Sequence, residues 1–151
     1  MKKIHWNNKP WEELTKEEVE EIFIIRSNVF VVEQNCVYQD IDNRDQKAIH
    51  VFGKKNKKII AYCRAFNDGD FFKESSFGRA LVDKNFRGQD LGNQLIKETI
   101  RVMKKKWQSK KIKISAQAHL SKLYQKHGFK PKGAEYLEEG IPHLAMYLNN
   151  H

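Results

Sequence analysis

The sequence predicts an α/β fold, with a mixed and mostly antiparallel sheet flanked by helices. Two helical stripes, a set of short β-rich runs and one strand–helix–strand succession carry that expectation. The first stripe is Val19, Ile22, Phe23, Val29 and Phe30; the second is Leu91, Leu95, Ile96, Thr99, Ile100, Met103 and Trp107. Both recur at the spacing that gathers apolar side chains on one helix face. The segment from Phe77 through Ile114 reads as a βαβ crossover, and strand-like runs near the end of the chain add an antiparallel part.

Thr15-Lys16-Glu17-Glu18 reads as a capping box, with Thr15 as N-cap and Glu18 reaching back. A helix should follow to about Val32, and Glu17, Glu18, Glu20 and Glu21 suit the positive end of its dipole. Val37 to Lys47 is polar and reads as a long, structured loop. Ala48–Gly53 and Ile59–Phe66 form a hairpin around the turn Lys55-Asn56-Lys57, and Phe77–Val82 is a third strand. A Gly-containing turn then opens a helix from Leu91 to Trp107, with Lys104-Lys105-Lys106 favouring its negative pole. Ile112–Ala116 alternates as a strand, and a short helix from Leu120 to His127 ends at Gly128. Tyr136–Glu138 and His143–Leu148 are the final strands, with Gly140-Ile141-Pro142 as the turn between them.

With 151 residues the chain is expected to be a single domain, 1–151, large enough to bury a core without staples. Its 28 Lys and Arg against 19 Asp and Glu leave +9, a balance that favours an anionic partner such as a phosphorylated cofactor. The same charge also serves as a solubilising surface. The lysines are dispersed and no aromatic-interleaved motif accompanies them, so nucleic acid is not the expected partner. Cys36 and Cys63 form no CxxC pair, which argues against a zinc knuckle or disulfide scaffold, and no metal-ligand cluster is evident. A reducing, cytoplasmic location is expected. The first residues, Met1 to Trp6, lack the apolar run of a signal peptide, and no stretch suits a membrane span.

The most informative stretch runs from Leu81 to Leu95. A strand enters a turn containing Gly88, and a helix follows. First-turn helix amides have no intrahelical acceptors, so such a turn is a ready anion site. Gly88 permits a tight turn, Gly92 permits close approach of a ligand, and Arg87 and Lys84 add charge. Neither a P-loop nor a dinucleotide-binding fingerprint is present.

Arg87-Gly88-Gln89-Asp90-Leu91-Gly92 resembles the [RQ]-x-x-G-x-[GA] motif of the GCN5-related N-acetyltransferases, and Leu123-Tyr124-Gln125-Lys126-His127-Gly128-Phe129 resembles their second signature. Phe30–Gln34, Ala116–Leu120 and Glu139–His143 look like the ElaA-type subgroup of that family. The resemblance implies acetyl-CoA as co-substrate, with its pyrophosphate on the loop and its pantetheine arm along Ala80, Leu81 and Val82. The cofactor-binding set it implies is Ala80, Leu81, Val82, Arg87, Gly88, Gln89, Asp90, Leu91, Gly92, Asn93 and Tyr124. A main-chain amide near Leu81 would polarise the thioester carbonyl. Asp90 departs from the motif's glycine; Asp tolerates left-handed backbone, and its side chain is expected to face solvent and cap the helix. Family members are often dimers, so a homodimer is an expectation of the same kind.

Acetyl transfer to an amine needs a general acid for the departing thiolate and a base for the ammonium. Tyr124 is the expected acid. Glu33 is the first candidate for the base, with pairing to Arg26 or Arg44 as its structural alternative; His119 and His143 are candidate proton carriers. Gln34, Glu33 and Asp42 are candidates for the acceptor pocket, and the acidic run from Asp40 to Asp45 hints at a cationic acceptor. The reading is an acetyl-CoA-dependent N-acetyltransferase that moves the acetyl group directly to a primary amine. The alternatives are a non-catalytic CoA-binding module of the same fold and a basic nucleic-acid-binding protein.

Overall fold

The computed structural model describes residues 3–149. Strand β1 (His5–Pro10) leads through a 3-10 turn to helix α1 (Lys16–Arg26). The capping box is made in full: the Glu18 amide donates to Thr15 Oγ1 at 3.0 Å, and the Thr15 amide donates to Glu18 Oε1 at 2.9 Å. The α-helical winding stops at Arg26, short of the expected Val32, and a π-helical segment continues from Ser27 to Glu33. Helical periodicity could not reveal this change of winding. It turns the adjacent pair Val29 and Phe30 inward together and delivers Glu33 and Gln34 to the rim of the site.

Strands β2 (Ile49–Lys55) and β3 (Lys58–Phe66) form the expected hairpin, with Asn56 and Lys57 in the left-handed region at its tip. Strand β4 (Ser76–Val82) completes a four-stranded antiparallel sheet in the order β1-β2-β3-β4. β1 was not foreseen, because His5-Trp6-Asn7-Asn8-Lys9-Pro10 shows no apolar alternation. Helix α2 spans Leu91–Trp107 as expected, and β5 spans Lys111–Gln117. The late helix is shorter than expected: a 3-10 turn at Ala118–Leu120 precedes α3 at Ser121–Gln125, and Gly128 follows at φ +94°. Short β6 (Lys130–Pro131) and β7 (Tyr136–Glu138) both pair with β8 (Ile141–Asn149), which also pairs with β5. The expected Gly140–Pro142 turn is displaced: Glu139 and Gly140, both at positive φ, make it, and Ile141 and Pro142 already belong to β8.

The sheet buries both faces, and the alternation of side chains shifts phase at register irregularities beside Gly53 and between Tyr62 and Arg64. Val51, Cys63, Ala65 and Phe77 meet Leu95, Ile96, Val102 and Met103 of α2. Phe52, Ile59, Tyr62 and Leu81 meet Ile22, Ile25, Val29 and Phe30 on the other side. The two sheets touch through one parallel bridge, Ser75 to Ile112, where the Lys113 amide donates to the Ser75 carbonyl at 2.9 Å. Beyond that bridge β4 has no strand neighbour on this side among the described residues.

The loop between Val37 and Lys47 is fastened by an internal ion network. Arg26, 0% exposed, places Nε 3.0 Å from Asp40 Oδ2 and Nη1 2.7 Å from Asp45 Oδ1. Arg64, 1% exposed, donates to Asp42 Oδ1 at 2.7 Å and to Asp45 Oδ1 at 2.9 Å. Arg79 Nε lies 2.7 Å from Asp40 Oδ1, and the Arg79 guanidinium stacks on Tyr38. Three arginines thus neutralise three aspartates. Burial alone would raise the Asp42 carboxyl, but hydrogen bonds and charge from Arg64, with Arg79 behind it, bring it down to about 2.

Because that folded value lies below the ordinary 3.8 of the unfolded chain, the Asp42 contribution is present above 3.8 and is lost as pH falls through about 2. Stability measured by urea titration should therefore fall between about pH 4 and pH 2, and Asp42→Asn should flatten that part of the curve. Arg26→Leu, which takes from buried Asp40 and Asp45 one of the two arginines that each holds, should cost about 3–5 kcal/mol in the same titration at neutral pH.

Candidate active site

The parting of β4 from β5 opens two clefts that meet at one point. The first holds about 370 Å³ between Val29, Phe30 and Glu33 on one side, Ala80, Leu81 and Val82 of β4, and Leu120 with Leu123 and Tyr124 of α3. The second holds about 360 Å³ between the Arg64 and Arg79 region, the aromatic rings of Phe66, Phe71 and Phe72, and the β7–β8 hairpin. Phe30, Gln34, Ala80, Gln117, Leu120 and Tyr124 line both, and so form the throat between them.

The first cleft reaches the N-terminus of α2. Asp90 occupies the N-cap at φ +65°, and Gly88 precedes it at φ +84°. Asp tolerates this left-handed geometry better than most residues. The expected side-chain cap is not made: Asp90 Oδ1 instead accepts from Asn93 Nδ2 at 2.7 Å. His127 Nε2 donates in turn to Asn93 Oδ1 at 2.9 Å, tying the loop to the end of α3. Burial lowers the His127 pKa, chiefly by desolvation of its charged form. With no side-chain cap on α2, the amides of Leu91, Gly92 and Asn93 remain free to receive an anion. A Cβ built on Gly88 meets nothing within 4 Å, so the turn is open to a ligand. This donor set fits a pyrophosphate.

Each sequence-derived residue can now be located. Ala80, Leu81, Val82, Arg87, Gly92 and Tyr124 line the first cleft; Gly88, Gln89 and Asp90 are exposed on its loop, and Leu91 is buried beneath it. Glu33 also lies in the first cleft, where it pairs with neither Arg26 nor Arg44 but with Arg87, at 2.5 Å and 3.1 Å. Arg87 Nε donates to the Val82 carbonyl at 3.0 Å as well. His119 is exposed and borders the first cleft, while His143 borders the second. Gln34 reaches both. Asp42 lines the second cleft with its carboxylate already engaged by Arg64 and Arg79, so the acidic loop brings no unpaired charge from Asp40, Asp42 or Asp45.

Tyr124 sits in the throat, 7% exposed, with its ring against Phe77 and Phe129. Its hydroxyl makes no hydrogen bond among the described residues. Burial, with a smaller effect of Cys63, pushes its pKa up, so the phenol stays protonated. Cys63 is buried and its thiol is pushed up to about 12, which makes it inert.

Sequence reasoning did not find Arg79. It lies in β4 at φ +52°, within an irregularity of the β3–β4 register between Tyr62 and Arg64. A left-handed arginine inside a strand is strained, and Asp40 and Asp42 hold it there. The bulge turns the edge of β4 toward the throat. Ser115, Gln117 and Glu138 were also missed. The alternation of Ile112, Ile114 and Ala116 does predict that Ser115 and Gln117 face away from the core.

A family model for the acetyltransferase (GNAT) domain matches residues 12–149. Protein ElaA of Escherichia coli (strain K12) is 38% identical over 145 residues, covering 95% of each chain. The crystal structure of Escherichia coli ElaA superposes with a TM-score of 0.91 at 36% identity, covering 97% of this chain and 100% of that one. An acyl-CoA N-acyltransferase from Pseudomonas aeruginosa gives 0.92 at 32% identity, covering 97% and 99%. The chain therefore belongs to the GNAT acetyltransferase family, and it is an N-acetyltransferase by fold and family. Within this family the fold binds acyl-CoA, which agrees with the anion site at α2 and the open edge of β4.

Gly92→Glu would send a carboxylate into the first cleft beside the free amides. Calorimetry should show coenzyme A affinity reduced by at least about a hundredfold, roughly 2.8 kcal/mol, with the circular dichroism unchanged. Native affinity in that variant would put the pyrophosphate elsewhere.

Proposed function

We propose that this protein transfers the acetyl group of acetyl-CoA directly to a primary amine, as one catalytic unit spanning residues 1–151. The observation that carries this reading is the throat: two clefts of different character meet at the protonated hydroxyl of Tyr124. The donor would occupy the first cleft, with its pyrophosphate on the amides of Leu91, Gly92 and Asn93, supported by Gly88, Gln89, Asp90 and Arg87. Its pantetheine arm would run along Ala80, Leu81 and Val82. Bound acetyl-CoA supplies the activated acyl carbon.

The chain's own groups then divide the work. A β4 amide near Leu81 polarises the carbonyl. His143 takes one proton from the acceptor ammonium: its Nδ1–H donates to the Ile141 carbonyl at 2.7 Å, which leaves Nε2 as the basic nitrogen. The amine nitrogen bonds to the acyl carbon as the carbon–sulfur bond breaks. Tyr124 hands its proton to the leaving sulfur, and the surplus proton on the new amide returns to the tyrosinate through water. Gln34, at the throat, orients the acceptor. Glu33, held by Arg87 in the first cleft, acts on the coenzyme loop rather than on the amine. His119, exposed beside that cleft, serves the donor end. A reducing cytoplasmic setting accords with two free cysteines, Cys36 and Cys63.

A thiol-release assay with acetyl-CoA and a panel of primary amines tests the reading. Tyr124→Phe should lower turnover by about a hundredfold or more while leaving acetyl-CoA affinity unchanged. Unchanged turnover in that variant would remove Tyr124 from the proton path.

A further inference from the structure

Asp90 places a carboxylate on the turn that would receive two phosphate charges. Its backbone at φ +65° keeps the left-handed geometry of that turn, so the side chain alone is out of character with an anion site. Asp90 enters no ion pair with Lys or Arg among the described residues. The carboxylate threatens the site in two ways. It repels a diphosphate through space. An Asp at an N-cap also ordinarily accepts from the helix amides that follow it, and here those amides are the ones open to the ligand.

The cap bond is not made, and a run of side chains accounts for that. Asp90 Oδ1 accepts from Asn93 Nδ2 at 2.7 Å, and Asn93 Oδ1 accepts from His127 Nε2 at 2.9 Å. The direction of both bonds is set by chemistry. An ionised carboxylate only accepts, so the Asn93 amide turns its nitrogen to Asp90 and its oxygen to His127, and the ring must carry its proton on Nε2. Burial keeps that ring neutral, with Lys126 and Lys97 acting in the same direction and Asp90 against it. The ring is anchored in turn, because the His127 amide donates to the Tyr124 carbonyl at 3.0 Å at the end of α3. Arg87 and Gly92 line the first cleft, whereas Asp90, Asn93 and His127 do not. The carboxylate is thus drawn toward α3 and away from the cleft.

We propose that Asn93 and His127 are positioning residues that hold the Asp90 carboxylate off the first-turn amides of α2 and so keep the pyrophosphate site open. The inference rests on the donor assignment of the first cleft and adds what allows a chain with Asp at this turn to use it. Without the Asn93 side chain, the carboxylate is free to compete with the coenzyme for the same amides. The clamp also joins the phosphate turn to the short helix that carries Tyr124, so the two ends of the donor site share one support.

Calorimetry with acetyl-CoA on the full chain tests this. Asn93→Leu removes both side-chain bonds and retains the main-chain amide. It should weaken acetyl-CoA affinity by about tenfold or more at low salt, and the deficit should shrink at high salt, as a charge effect must. Asp90→Gly removes the carboxylate and retains the turn; in that background Asn93→Leu should cost less than about twofold. His127→Phe breaks only the outer bond and should weaken affinity less than Asn93→Leu does, and His127→Gln, which again offers an N–H donor, should recover most of that loss. If Asn93→Leu fails to fold, His127→Phe with and without Asp90→Gly carries the same comparison. Unchanged affinity in Asn93→Leu overturns the proposal. So does a deficit that is insensitive to salt and equally large in the Asp90→Gly background, since that is the mark of a role in packing alone. Absence of heat with the folded wild-type protein overturns the donor site itself, and this proposal with it.

Discussion

Two strands that run parallel, β4 and β5, are joined at Ser75 and Ile112 and then separate. Everything functional in the molecule depends on that separation. A sheet edge left open inside a protein must find partners for its backbone groups, from water or from a ligand. Here the open edge of Ala80, Leu81 and Val82 faces a cleft that ends at the unpaired first-turn amides of α2. Backbone donors are therefore presented in two places to one extended ligand, a shape suited to an acyl-CoA with its amide-bearing arm and its diphosphate.

Beside the second cleft, charge is buried where apolar side chains would ordinarily pack. Arg26, Arg64 and Arg79 reach three aspartates of one loop, and Arg79 holds the irregular turn of β4 through them. Such a network adds little net stability compared with a well-packed apolar substitute, but breaking it is costly. Its value lies in geometry, since paired guanidinium and carboxylate groups fix directions that methyl groups do not. It also consumes the acidic charge of the loop. The carboxylates that from the sequence invite a cation are internal struts.

Much of this was legible in the sequence. The capping box of α1, helix α2, the hairpin of β2 and β3, the turn at Gly88 and the placing of Tyr124 follow from periodicity, turn chemistry and a pair of motifs. The π-helical winding after Arg26 was not legible, because a single extra residue per turn does not disturb a short apolar pattern. β1 escaped because its partner β2, rather than its own residues, defines it. Pairings between distant residues escaped for the same reason. Arg87 meets Glu33 across 54 positions and Ser115 meets Glu138 across 23, and no local spacing announces either. Sequence periodicity did place Ser115 on the outward face of β5; it could not say what waited there.

Hydrogen–deuterium exchange with and without acetyl-CoA measures the central claim directly. The account predicts that binding slows exchange in two separate stretches, Ala80 to Val82 on the open edge and Gly88 to Asn93 at the start of α2, while β1 and the β2–β3 turn are unaffected. Protection confined to other segments, or saturation with coenzyme that leaves both stretches exchanging at their free rates, would contradict it.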